Sequence, residues 1–145
     1  MKTILYLLIS FCLITCKPNI NNPNQLVNMN VAQGDLKNEQ VKKHEFLKDM
    51  YEDDYFPKIL VDKGKVILIN LCLQIESDKP SCLDELYTLS HAATEKFNDL
   101  GAEFDDMGSE IETAARESIG ADFEFIAKTY GFDADTEELI APREW

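Results

Sequence analysis

Imidazole is scarce in this chain: among 145 residues there are two histidines, His44 and His91. Cys72, Cys82 and His91 do not fall into a zinc-ligand spacing, and no fourth ligand suggests itself. Glycine is sparse too, six in all, and none builds a phosphate-cradling loop. No serine stands in a nucleophile-elbow setting. Cations are few: 14 Lys and Arg against 27 Asp and Glu. That balance repels nucleic acid and anionic lipid surfaces and favours basic partners. It is also enough, by itself, simply to keep a domain soluble. No apolar run approaches the roughly 20 residues that a bilayer-spanning helix needs. The usual side-chain sets for catalysis, metal binding or cofactor binding are therefore missing, and no cofactor is expected.

What is present begins at the N-terminus. Lys2 is followed by the apolar run Ile4–Ile9 and then by Ser10–Cys16. A charged start, a short apolar stretch and a small-residue boundary read as a secretory signal. The boundary Leu13-Ile14-Thr15-Cys16 resembles a lipobox, with Thr15 where Gly, Ala or Ser is usual. The expected organisation is a signal peptide over 1–15, a lipidated Cys16 opening a flexible linker over 16–37, and an acidic domain over 38–145. The linker is rich in Asn and Pro, which compete with regular backbone pairing. Removing Lys2, Lys17, Lys37 and Asp35 leaves 11 cations against 26 anions in the domain, a net charge of −15.

The domain reads as all-α: about four main helices and a short C-terminal one, packed as a compact bundle. Glu39–Tyr51 carries Val41, Phe46 and Met50 on one side. Asp62–Glu76 is apolar on most sides, and its front, Val66-Ile67-Leu68-Ile69, has strand-like composition. Its length favours a helix, and its all-round apolarity makes it the central one. Ser81 with Asp84 resembles a capping box for a helix carrying Leu83, Leu86, Phe97, Leu100 and Phe104. After a turn at Asp105–Gly108, Ser109 with Glu112 predicts the next cap. That helix runs to Tyr130, with Gly131 as its C′ residue. Asp135 with Glu138 caps the last helix, and Pro142 stops it.

Candidate chemistry is thin. The Asp133–Glu138 string lacks the sixth-position Gly and twelfth-position Glu of a calcium loop. Glu117 and Glu124 share a helix face, but no Glu-x-x-His partner exists, so solvation or pairing with Arg116 and Lys128 accounts for them. His91 reads as a helix-surface or core-edge histidine, the sharper alternative being a thiol–imidazole pair. Cys72 and Cys82 flank the Ser77–Ser81 connection: either two free thiols among leucines or a disulfide. The most informative pattern is acidic–aromatic. Tyr51-Glu52-Asp53-Asp54-Tyr55-Phe56 is one instance, Phe104-Asp105-Asp106 a second, and Arg143-Glu144-Trp145 a third. Aromatics supply contact area and carboxylates supply complementarity to a basic surface. Glu52, Asp53, Asp54, Tyr55, Asp105 and Asp106 are therefore the expected partner-binding residues. No catalytic or metal-ligating residue is assigned. Trp145, at the chain end, either packs back on the bundle or is exposed for contact.

The strings Asn38–Pro57, His91–Asn98, Glu110–Arg116, Asp122–Ile126 and Tyr130–Trp145 resemble a family of small bacterial proteins catalogued as a domain of unknown function. The resemblance spans 38–145 and implies a helical fold, with no activity to carry over. In character such proteins are similar to immunity proteins, which neutralise a toxin. The expectation is a non-enzymatic binding protein on the bacterial envelope, anchored to the membrane by lipid on Cys16, with a basic toxin as its partner and no nucleic acid. A carboxylate/His metal protein or enzyme, and a structural lipoprotein, are the alternatives.

Overall fold

The structure, a computed structural model, describes residues 30–145. The expected signal peptide and Cys16 lie outside the described residues. Within them the fold is all-α, as the apolar spacing predicts. After a single 3-10 turn at Gln33–Asp35 come α1 (Glu39–Lys43), α2 (Lys48–Glu52), α3 (Lys58–Asp78), α4 (Leu83–Asp106), α5 (Thr113–Thr129) and α6 (Thr136–Leu139). None of these helices is long and apolar enough to cross a membrane.

α3 is the central element. Its buried residues include Leu60, Val61, Ile67, Leu68, Ile69, Leu71, Cys72 and Ile75, so almost every side meets a neighbour. The β-branched run Val66–Ile69 is helical because burial on all sides outweighs its intrinsic preference. α3 and α4 form an antiparallel hairpin across a four-residue link. On α3, Gly64 leaves room for the side chains of Leu47 and Phe97, since a Cβ there would lie 2.9 Å from Leu47 Cδ1 and 3.1 Å from Phe97 Cε1. α5 closes the bundle, burying Ala115, Ile119, Phe123 and Ile126.

One predicted helix is two. The stretch Glu39–Tyr51 breaks at His44–Leu47, where His44 is extended and Leu47 is left-handed at φ 54°. Side chains from elsewhere take the groups freed by the break. Gln33 Nε2 donates to the carbonyls of Val41 and His44 at 2.7 and 2.8 Å. The Leu47 N–H donates to Asp122 Oδ2 at 2.7 Å.

The same contacts move the edge of the packed body upstream of residue 38. Leu36 is 2% exposed, and Glu76 accepts the backbone N–H groups of Lys37 and Asn38. Residues 33–37, assigned to the linker from composition, thus belong to the body.

Two caps also differ from expectation. Ser109 does not open α5. Its N–H bonds Phe104 O at 3.0 Å and completes the C-terminal end of α4, with Gly108 at φ 74°. At the start of α4, Ser81 donates both its N–H and its hydroxyl to Glu85, not Asp84. Asp135 caps α6 as predicted, accepting from Glu137 and Glu138 N–H. Gly131 sits at φ 90°, as its C′ position requires.

The C-terminal segment is clasped by one face of α4. His91 Nε2 meets Glu138 O at 2.7 Å, Thr94 Oγ1 reaches Leu139 O, and Asn98 bonds Pro142 O and Glu144 N–H. Trp145 turns back onto Phe97, with ring centroids 6.3 Å apart.

Candidate functional site

The two main acidic–aromatic strings, about 50 residues apart in sequence, meet at one end of the α3–α4 hairpin. Phe56 and Phe104 are both buried and pack edge-on at 6.3 Å. Around that contact Glu52, Asp53, Asp54, Asp105 and Asp106 all face water. Tyr55 is 42% exposed and stands edge-on to Phe56. All six residues expected from sequence are therefore on one end of the molecule. The third string is not part of it: Trp145 is packed on Phe97, and Arg143 pairs with Glu137.

Local chemistry fixes this surface. Asp53 Oδ1 accepts the Tyr55 N–H at 2.8 Å, an Asx turn that orients the loop. Lys58 is spent on backbone, donating to Asp53 O at 2.7 Å. Lys63 of α3 is paired with Glu103 of α4. Asp105 and Asp106 occupy the last turn of α4, where the helix dipole is negative and no basic residue compensates. Helix stability does not explain their placement.

Sequence reasoning missed two members of this end. Ile59 in the first turn of α3 is 61% exposed and Met107 after α4 is 55% exposed. With Tyr55 they are three of the four exposed large apolar side chains among the described residues. Ile59 lies beside Leu60 in a run that is apolar on most faces, so periodicity does not mark it as exposed.

A second constellation also escaped the sequence reading. His44 Nε2 lies 2.6 Å from Asp122 Oδ1. Asp122 is only 5% exposed, and its other oxygen is held by Leu47 N–H. Burial pushes the Asp122 carboxyl above its ordinary pKa, with the His44 and Leu47 bonds drawing back part of the shift. The His44 ring stacks on Phe125 at 3.7 Å and meets Phe46 edge-on. Both residues line an open cleft of about 520 Å³ together with Lys43, Lys48, Asp49 and Ser118. No sequence spacing links residues 44 and 122, so only the fold brings them together.

Other candidates are structural. His91 anchors α6 through a backbone carbonyl. Cys72 is a buried free thiol, so it forms no bridge with Cys82; burial pushes its pKa well up, an inert setting. Cys82, at the N-cap of α4, is half-buried and is not a free thiol. Glu124 pairs with Lys128. Among the described residues no three His, Cys, Asp or Glu side chains converge as a metal site.

No curated protein and no solved structure matches the chain. One family model does, over residues 40–145, from the first turn of α1 to Trp145. The chain belongs to the DUF5713 family, a family of unknown function.

Proposed function

We propose that this is a non-enzymatic binding protein that captures a basic protein partner on the end formed by Glu52–Tyr55 and Asp105–Asp106. In its most concrete form it is an envelope-anchored immunity protein, held by lipid on Cys16, that neutralises a basic toxin by surface complementarity. The convergence of the two acidic strings around exposed Tyr55, Ile59 and Met107 carries this reading. Apolar anchors ringed by charge suit a protein interface, and a net charge of −15 over 38–145 speeds encounter with a cation-rich partner. The acids at the C-terminal turn of α4 cost helix stability, which fits a surface kept for contact.

The test is capture of partners from a sibling strain, with the product of the neighbouring gene expressed in the periplasm. Protection by the full chain, lost when Asp53, Asp54, Asp105 and Asp106 are changed to Lys, supports the reading. Protection that survives these changes, or the absence of both partner and protection, sinks it. The anchor is tested separately: Cys16→Ser should move the protein from the membrane to the soluble fraction.

A further inference from the structure

The cleft at α1, α2 and α5 shares α2 with the acidic end but none of its residues, and has its own chemistry. The Asp122 carboxylate accepts, so the hydrogen of a neutral His44 ring sits on Nε2 and the lone pair on Nδ1. No group among the described residues bonds Nδ1. The ring cannot swing, because Phe125 lies flat against it at 3.7 Å and Phe46 meets its edge at 4.8 Å. Asp122 cannot swing either, since its second oxygen holds the Leu47 N–H. Leu47 adopts a left-handed backbone at φ 54° beside this pair. Such strain in a non-glycine residue persists only where its surroundings impose it, and it clusters at functional sites. Histidine, fixed in tautomer and orientation by a buried carboxylate, is the arrangement of a general base.

The lining supplies the rest. Lys43 lines the cleft, Lys48 is occupied by Glu45, and Ser118 lies one helical turn before Asp122. Glu45 and Asp49 are the other acidic groups lining the cleft.

We propose that this cleft is a hydrolytic site for small carboxylic esters, with His44 as general base and Asp122 as its positioning residue. Water gives a proton to Nδ1 as its oxygen bonds the ester carbonyl carbon. The C=O electron pair moves onto oxygen, where the Lys43 ammonium stabilises the charge. The C=O bond then re-forms, the C–O bond to the alcohol breaks, and the proton passes from Nδ1 to the departing alkoxide. A carboxylic acid and an alcohol leave, and the imidazole is restored. This activity goes beyond the binding role and stands or falls separately from it, since no residue is shared.

The probe is p-nitrophenyl acetate with the full chain. The expected result is saturable release of p-nitrophenolate, at least about tenfold faster than from an equal concentration of free imidazole. His44→Gln, which retains a donor for Asp122, should fall to background while His91→Gln is unchanged. Asp122→Asn should lower kcat at least about tenfold with little change in KM. In that variant, imidazole 15N shifts should report loss of the fixed Nε2–H tautomer. A wild-type rate no greater than that of imidazole, or His44→Gln retaining the wild-type rate with an unchanged circular dichroism spectrum, overturns the proposal.

Discussion

Asp122 is the residue on which the N-terminal half of the body turns. One carboxylate holds the ring of His44 and the N–H of Leu47, and so fixes the break between α1 and α2. Truncation leaves a buried donor and a half-buried imidazole without a partner. Asp122→Ala is therefore expected to cost about 3 kcal/mol, and Asp122→Asn, which still accepts from Leu47, about 1 kcal/mol. Urea unfolding of the two variants measures the difference; equal losses would mean that the Leu47 bond contributes nothing. Glu76 is the second such residue, tying Lys37 and Asn38 to α3 and accepting from Tyr130. Burial raises its pKa, but the Asn38 and Lys37 N–H groups and the Tyr130 hydroxyl outweigh burial and hold it below the ordinary glutamate value. A carboxyl lowered on folding adds stability above its unfolded pKa and loses it as the pH falls through the folded one. Melting followed from pH 7 down to about 3 should show a shallower acid limb for Glu76→Gln than for the wild type. Parallel acid limbs would refute the role given to this carboxyl.

At the scale of elements, helix ends separate what the sequence reveals from what it hides. The end of α5 is legible, since Gly131 is where a left-handed C′ residue belongs. The end of α3 is not: Lys79 takes that conformation at φ 52°, and its N–H bonds Ile75 O at 2.9 Å. A lysine there bears a steric cost that glycine avoids, partly offset by glycine's extra freedom when unfolded. Lys79→Gly is expected to raise stability by about 0.5 kcal/mol. A lower melting temperature would show that the lysine side chain makes a compensating contact. The helices themselves follow from apolar spacing, including α3, whose strand-like Val66–Ile69 is decided by length and burial. The break at His44–Leu47 was hidden because its partners, Gln33 and Asp122, come from distant segments. The acidic strings were legible one by one; their meeting over the Phe56–Phe104 contact was not. The clasp on the C-terminal segment was equally hidden, though His91, Thr94 and Asn98 share one face of α4 by their spacing. Asn98 holds both Pro142 O and Glu144 N–H. Asn98→Ala should cost about 1–2 kcal/mol. It should also shift the emission of Trp145, the single tryptophan, to the red; an unchanged spectrum would place the hold on Trp145 in its packing against Phe97.

For the whole molecule, charge sets stability and encounter in opposite directions. A body of 12 cations and 27 anions over 33–145 repels itself. Exposed pairs such as Lys128–Glu124 and Lys48–Glu45 return little. Raising salt from about 0.05 to 0.5 M shortens the screening length from above 10 Å to below 5 Å, so the melting temperature should rise. Asp105 and Asp106 sharpen the conflict, because they add like charge to an acidic end and also sit at the negative pole of α4. Replacing both by Asn should stabilise the fold, by about 0.5 kcal/mol each at low salt. If that end captures a basic partner, the same double variant should slow association and flatten its dependence on salt, leaving dissociation less affected. Calorimetry and binding kinetics on one preparation separate the two effects. A variant that gains stability and keeps its association rate would leave these carboxylates as solvated surface. One that gains stability and loses rate would show that the helix end carries them for contact.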